Sequence, residues 1–187
     1  MIFGVILAGG QGRRMGGDKA GVRLGGVTLL ERVAGRLAPQ VAELAVAGGD
    51  GRAGWTVLPD PVPGRVGPLA GLLAGMLWAS GRGATHVVSV PVDAPFLPLD
   101  LVAQLAGAGP GAAIPFSGGR RHPVFGLWPV MLAARLRADL EGGQRRAGVW
   151  AAAIGAVEVP FPEADPDPFF NLNTPVDLAC AARVPGV

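Results

Sequence analysis

Apolar runs that end in glycine or proline recur along this chain, separated by amphipathic or alanine-rich stretches. The strongest runs are residues 2–8 and 85–90, and both are rich in β-branched side chains. Such runs are typical of strands that are buried on both faces of a parallel sheet. The same pattern predicts further strands at 43–47, 55–58, 112–116, 122–128 and 156–160.

Helices are predicted between these strands. Thr28 can cap a helix that ends near Leu37, and Pro68 fits the first position of a helix reaching about Ser80. Thr174 and Pro175 supply the N-cap and first position of a last helix. Other helices are predicted from residue 98 or 100, at 129–140 and at 145–153. Alternating strands and helices predict an α/β fold with a doubly wound, mostly parallel, Rossmann-like sheet.

Composition narrows the class of protein. The 187 residues suit a single domain spanning 1–187, and a hydrophobic content of 50% argues against disorder. A net charge of +2 with scattered arginines is too weak a signal for nucleic-acid binding. We see no signal peptide or membrane span, so a cytoplasmic protein without membrane contact is expected. The single Cys180 excludes a disulfide framework, and we expect a buried, inert thiol.

The glycine-rich stretch 9–22 follows the first strand and contains the only lysine, Lys19. Every other basic residue with a permanent charge is arginine, so this lysine is expected to do something that a guanidinium cannot. Backbone N–H groups of such a loop can bind phosphate oxygens, with Arg13 and Lys19 adding positive charge. The spacing matches neither the P-loop nor the dinucleotide fingerprint. Chance survival of the lysine is the alternative.

Asp93 follows the second strong strand and lies between Pro91 and Pro95, which restrict the backbone. A rigid carboxylate there suits a Mg²⁺ ion that takes its other ligands from phosphate and water. The alternative is a turn residue or a helix cap. Because ligands of doubly wound sheets bind beyond the carboxyl ends of the strands, Asp93 and the glycine-rich loop are expected to share one site.

Several motifs together resemble the nucleotidyltransferase family, most closely the molybdenum cofactor guanylyltransferases. The segments that carry the resemblance are 7–19, 67–71, 92–95, 121–123, 143–146 and 171–175. They cover most of the chain in order, and their combination is specific although each piece is not. The last segment holds both asparagines of the chain, Asn171 and Asn173.

The resemblance implies transfer of GMP from GTP to molybdopterin, with release of pyrophosphate and with Mg²⁺ as the metal. It implies transient contacts with molybdoenzyme apoproteins and with other proteins of cofactor biosynthesis. Catalytic roles fall on Lys19, Arg13 and Asp93, and Asp93 would bind the metal. The nucleotide would be bound by Leu7, Ala8, Gly9, Gly10, Lys19, Asp60 and Asp93. The candidates for the pterin side are Arg120, Arg121, His122, Arg145, Arg146, Asn171 and Asn173. For the arginine doublets, a solvated surface is the alternative.

One position departs from the family pattern. Where relatives often have Asn at the end of the second sheet strand, this chain has Ala47, so a side-chain contact to the nucleotide is lost and a backbone contact could survive. A cytidylyltransferase of the same fold is therefore one rival interpretation, although Gly9 in place of the alanine common in those enzymes favours guanine. A second rival is a non-catalytic carrier of the pterin cofactor, which would need neither Lys19 nor Asp93.

Overall fold

The protein is described by a computed structural model that covers residues 1–9, 19–48, 54–62 and 67–185. Strands of these regions are β1 (Ile2–Leu7), β2 (Arg23–Leu24), β3 (Val27–Thr28), β4 (Leu44–Ala47), β5 (Val57–Leu58), β6 (His86–Pro91), β7 (Ala113–Ser117), β8 (Arg120–Arg121), β9 (Gly126–Pro129) and β10 (Val157–Pro160). Helices are α1 (Leu29–Leu37), α2 (Pro68–Ser80), α3 (Leu101–Gly107), α4 (Ala133–Glu141), α5 (Ala147–Ala153) and α6 (Pro175–Ala181). Short 3-10 helices are Lys19–Gly21, Ala38–Gln40 and Val130–Leu132.

Within the described regions, one eight-stranded sheet has the order β10-β7-β9-β6-β1-β4-β5, with β8 added to β7. Strands β6, β1, β4 and β5 are mutually parallel, and β10 is parallel to β7. Strand β9 is antiparallel to both β6 and β7, so β7 runs in the same direction as β6. The mostly parallel sheet is therefore confirmed, with β9 as the reversed strand.

Helices cover both faces of the sheet. Along β1, Val5 and Leu7 pack with residues of α2, α4 and α5, whereas Ile6 packs with residues of α1 and α3. This alternation follows from the two-residue period of a strand, which sends successive side chains to opposite faces. The doubly wound α/β architecture is thus confirmed, and it explains why the central strands are apolar on both faces.

Helix α2 lies unusually close to the sheet because two of its residues have no side chain. A Cβ at Gly71 would lie 2.9 Å from Leu7 Cδ2, and a Cβ at Gly75 would lie 2.8 Å from Val5 Cγ1. The glycines therefore allow the helix backbone to approach β1 directly. No helix in the described part of the chain is both long and apolar enough to cross a membrane.

Two local expectations are wrong, and a third is confirmed. The strand expected over 122–128 is only Gly126–Pro129, because His122 and Pro123 form a turn in which the Phe125 N–H donates to the His122 carbonyl oxygen. The helical stretch expected over 129–140 is confirmed, as a 3-10 turn that is followed by α4. Cys180 is exposed, because α6 turns Ala181 and Leu178 rather than the thiol towards the protein.

The sheet topology decides where a ligand can bind. Strands β1, β4, β5, β6 and β7 all end at the same edge. The residues that follow them, among them Gly9, Gly48, Asp60 and Asp93, are therefore brought to one side of the molecule. This is the edge at which doubly wound sheets bind their ligands.

Candidate active site

Lys19 lies at the centre of a three-residue contact. Its Nζ is 2.7 Å from Asp93 Oδ2 and 2.6 Å from Asn173 Oδ1. Only 19% of the lysine side chain and 14% of the aspartate side chain are exposed. The structure therefore brings together residues separated by 74 and 154 positions in the chain. Lys19 is the only lysine in the sequence, and Asn173 is one of its two asparagines.

Asp93 is held by its backbone. The preceding Val92 N–H donates to the Leu7 carbonyl oxygen at 3.1 Å, which extends the β1–β6 pairing beyond the strand. The Asp93 carbonyl oxygen accepts a hydrogen bond from the Leu172 N–H at 2.8 Å. Asp93 is therefore fixed between the central strand and the segment that carries Asn173.

The start of α6 fixes the orientation of Asn173. Thr174 is the N-cap, and the Asp177 carboxylate accepts from the backbone N–H groups of Asn173 and Thr174, both at 2.8 Å. The Asn173 N–H is the main reason that the pKa of Asp177 lies below its usual value. This reciprocal capping box fixes the backbone of Asn173 and points its amide oxygen at Lys19.

The two asparagines are not equivalent. The Asn173 amide nitrogen donates to the backbone carbonyl oxygen of Asn171 at 3.3 Å, which orients its oxygen towards Lys19. Asn171 is exposed, and what it contributes to this contact is its backbone. Asn173 is therefore the asparagine that the fold joins to Lys19 and Asp93.

Backbone lines the end of β1. The Ala8 N–H donates to the Ala47 carbonyl oxygen at 2.8 Å, and Leu7 is buried. Gly48 has a φ of +79°, and a Cβ there would lie 2.6 Å from the Cα of Gly9. The ends of β1 and β4 thus meet backbone to backbone, with no room for a side chain at Gly48. Gly10 and Arg13 lie outside the described residues.

Ala47 is 1% exposed, and its side chain faces α2. A Cβ at Gly71 would lie 3.2 Å from the Cβ of Ala47, so the alanine fills a narrow space between strand and helix. A nucleotide contact at this position would therefore have to come from the backbone. Asp60 is exposed just beyond β5, at the same edge of the sheet.

The arginines predicted for the pterin side have different surroundings. Arg121 forms an ion pair with Glu158 of β10, with its Nη2 2.6 Å from the carboxylate. Arg145 donates from Nη1 to the carbonyl oxygens of Leu140 and Gln144, which caps the end of α4. Arg120 and Arg146 are exposed. A substrate role for these four arginines stays a prediction.

His122 is buried rather than open to a ligand. Its Nε2 is 2.9 Å from Ser117 Oγ, and its ring stacks on Phe169 at a centroid distance of 4.5 Å. Burial holds the pKa of His122 below its usual value, and the Arg120 charge acts in the same direction, against the Asp167 carboxylate. Direct substrate binding by His122 stays a prediction.

The arrangement suits anionic, metal-dependent chemistry. Two oxygens, one from the Asp93 carboxylate and one from the Asn173 amide, converge on a single cationic position, which the Lys19 ammonium occupies. Oxygen donors of this kind suit Mg²⁺. Among the described residues, no group of three or more His, Cys, Asp or Glu side chains could hold a metal, so an ion here would need phosphate and water as further ligands.

Three contributors to this geometry were missed in the sequence. Asp177 could have been found, because Thr174-x-x-Asp177 matches the spacing of a capping box. No sequence motif marks Ser117 or Phe169, because their roles come from their contacts with His122 in the folded protein.

The fold is that of a nucleotidyltransferase. A solved structure from Archaeoglobus fulgidus, molybdopterin-guanine dinucleotide biosynthesis protein A, is similar over 97% of both chains, with 27% identity and a TM-score of 0.76. The family of MobA-like NTP transferase domains matches residues 4–155, and the chain belongs to this family.

Curated relatives extend the match to nearly the whole length. A molybdenum cofactor guanylyltransferase of Cereibacter sphaeroides is 51% identical, covering 96% of this chain and 95% of its own. One of Rhizobium leguminosarum bv. trifolii is 49% identical, covering 97% of this chain and 92% of its own.

Proposed function

We propose that this protein transfers GMP from GTP to molybdopterin and releases pyrophosphate, which gives the guanine dinucleotide form of the molybdenum cofactor. The names of the relatives support this substrate pair. The observation that carries the proposal is the contact of Lys19 with Asp93 and Asn173 at the carboxyl edge of the sheet. The three residues come from three separate motifs of the resemblance.

The reaction needs the protein to position the two substrates and to stabilise charge, rather than to form a covalent intermediate. A terminal phosphate oxygen of the pterin attacks the α-phosphorus of GTP in line, and the bond from that phosphorus to the bridging oxygen breaks. The electron pair leaves with pyrophosphate, so negative charge grows on the leaving group. Fixed cations that meet this charge lower the barrier. We assign this role to Lys19, whose ammonium lies beside Asp93, and to Arg13, which belongs to the same loop in sequence.

Mg²⁺ is the metal that we propose for this site. Asp93 would hold it, with the amide oxygen of Asn173 as a neighbouring donor, because both oxygens already face one cationic position. When bound, the ion would neutralise phosphate charge and polarise the α-phosphate. Lys19 would then bind phosphate oxygens instead of the carboxylate.

The remaining residues are assigned either to the nucleotide or to the pterin substrate. Leu7, Ala8, Gly9, Gly10 and Asp60 would bind the nucleotide, with backbone contacts in place of a side chain at Ala47. The exposed Arg120 and Arg146, together with Asn171, would lie on the pterin side. We further propose that the protein works in the cytoplasm and passes its product to molybdoenzyme apoproteins.

Nucleotide binding separates the rival functions. Calorimetry with GTP, CTP and ATP in the presence of Mg²⁺ is expected to show selective binding of GTP. A preference for CTP would instead support a cytidylyltransferase of the same fold. Absence of binding to all three would support the non-catalytic carrier, because a carrier needs no triphosphate site.

Asp93→Ala tests the metal assignment. The variant is expected to lose GMP transfer while keeping its fold, because the backbone hydrogen bonds that hold this segment, from Val92 to Leu7 and from Leu172 to Asp93, do not involve the carboxylate. Transfer is measured as pyrophosphate release from GTP with molybdopterin, and folding by circular dichroism. Activity near that of the wild type with Mg²⁺ present would show that Asp93 does not hold the metal.

A further inference from the structure

Residues 161–173, here termed the return segment, connect β10 to α6 and deliver Asn173 to the site. The segment is anchored near its two ends by the buried Phe161 and Leu172, and most residues between them are exposed or half-buried. Phe169 is the one buried residue between Phe161 and Leu172, a stretch that the structure describes without a gap. Asn173 directly follows Leu172, which packs with Leu24 and Leu29, and it lies four residues after Phe169. The seating of Phe169 is therefore one of the anchors that bear on the position of Asn173.

The ring of Phe169 is seated on His122. The two rings are nearly parallel, with an interplanar angle of 22° and a centroid distance of 4.5 Å. Phe125 and Phe161 meet the ring of Phe169 edge-on, at centroid distances of 5.1 and 5.2 Å. Of these three rings around Phe169, His122 is the one that stacks flat against it. The four rings together are termed the aromatic pocket.

His122 is itself held at a fixed angle. Its Nε2 shares a hydrogen bond with the buried Ser117 Oγ at 2.9 Å, and its backbone N–H donates to the Pro115 carbonyl oxygen at 3.0 Å. Both partners belong to β7, a strand of the central sheet. A chain of contacts therefore runs from β7 through His122 and Phe169 to the backbone of the return segment.

The contacts continue into the active site. Three residues beyond Phe169, the Leu172 N–H donates to the Asp93 carbonyl oxygen at 2.8 Å. The next residue, Asn173, places its Oδ1 2.6 Å from Lys19 Nζ. The placement of Phe169 in the aromatic pocket bears on these two contacts, because Leu172 and Asn173 follow it by only three and four residues.

We propose that His122 is a positioning residue, which sets Asn173 against Lys19 and Asp93 by stacking on Phe169. This role differs from a direct contact with substrate, which the burial of the ring disfavours. Its consequence for catalysis rests on the proposed function, but the placement of Asn173 can be tested without any substrate.

The composition of the chain makes a direct readout possible. Only Asn171 and Asn173 would be labelled by ¹⁵N-asparagine, so the spectrum contains two backbone amides and two side-chain amides. Asn173→Ala assigns the Asn173 signals by removing them. His122→Ala is expected to move both Asn173 signals. His122→Phe, which keeps a ring to stack on, is expected to move them less.

His86, the only other histidine, provides a matched control. It also makes two hydrogen bonds, to Thr85 Oγ1 and to the Pro110 carbonyl oxygen, but it lies at the opposite end of β6 from Asp93. His86→Ala is expected to leave the Asn173 signals in place. Unmoved Asn173 signals in folded His122→Ala, or equal movement in His86→Ala, would overturn the proposal. If His122→Ala does not fold, Phe169→Leu replaces it, because it keeps apolar volume and loses the ring.

A double-mutant cycle tests the catalytic consequence. His122→Ala is expected to slow GMP transfer about tenfold in the wild type, but less than about twofold when Asn173 is already alanine, because residues that act through one another are not additive. Equal losses in both backgrounds would contradict the proposed route through Asn173. If the wild type itself transfers no GMP, the proposed function fails, whereas the result from the asparagine spectrum still stands.

Discussion

At the scale of single residues, the choice of lysine at position 19 has a geometric reason. The ammonium is a compact donor that contacts a carboxylate and an amide oxygen at 2.7 and 2.6 Å in a half-buried space. A guanidinium presents a wide, planar set of donors and cannot place the same charge at that point. The rarity of lysine in this chain and this geometry together lead us to expect that arginine cannot replace Lys19.

Lys19→Arg tests that reasoning. The variant is expected to slow GMP transfer about a hundredfold, the loss typical of removing one preorganised donor from a charge-stabilising site. Arg135→Lys is the control, because Arg135 pairs with Asp139 on the exposed surface of α4 and should tolerate the exchange. Steady-state rates and thermal unfolding of both variants decide the question. A near-normal rate for Lys19→Arg would show that only the charge matters.

At the scale of elements, two helices begin with the same capping box but serve different purposes. Thr28 and Glu31 start α1, whereas Thr174 and Asp177 start α6 beside Asn173. In both, the threonine hydroxyl accepts from the backbone three residues later, and the carboxylate accepts from the cap backbone. The two capping boxes make the same hydrogen bonds, so any difference in their functional importance must come from the residues beside them.

Thr174→Ala and Thr28→Ala form a matched pair. Each is expected to cost about 1 kcal/mol of unfolding free energy, the usual loss for an N-cap threonine. Only Thr174→Ala is expected to reduce GMP transfer, because only its cap aims Asn173. Urea unfolding and transfer rates measure the two effects. Equal loss of activity in both variants would mean that general stability, and not the aim of Asn173, is responsible.

Glycines within helices can be separated by what surrounds them. At Gly75 of α2, a Cβ would lie 2.8 Å from Val5 Cγ1, whereas at Gly35 of α1 nothing lies within 4 Å. Gly75→Ala is expected to destabilise the protein by about 1–3 kcal/mol through overpacking. Gly35→Ala is expected to stabilise it by about 0.5–1 kcal/mol, because alanine has the better helix propensity. In urea unfolding, we expect a lower midpoint for Gly75→Ala and a higher midpoint for Gly35→Ala than for the wild type. The slope of the unfolding free energy against urea concentration should stay the same in both variants.

At the scale of the whole molecule, the buried His122 makes stability depend on pH. Its pKa in the folded protein lies below the ordinary histidine value of 6.5, mainly because burial disfavours the charged ring. The unfolded chain therefore binds this proton more tightly than the folded protein does. The stabilising contribution is complete above pH 6.5 and is lost as the pH falls from that value through the folded pKa.

Unfolding by urea at pH 7.5 and at pH 5.5 measures this effect. The wild type is expected to lose stability at the lower pH, and His122→Phe is expected to lose less, because it has no proton to bind. A pH dependence that is unchanged in His122→Phe would assign the effect to other groups.

The sequence by itself determined the α/β class, both strong central strands, the capped starts of α1 and α6, and the candidates Lys19 and Asp93. Strand and helix periods and capping chemistry act within a few residues, and the scarcity of lysine can be read from the composition of the chain. Tertiary structure decided the rest. It turned 122–125 into a bend, reversed β9, exposed Cys180, chose Asn173 over Asn171 and seated His122 on Phe169. Each of these depends on contacts between segments far apart in the chain, whose partners no local pattern specifies.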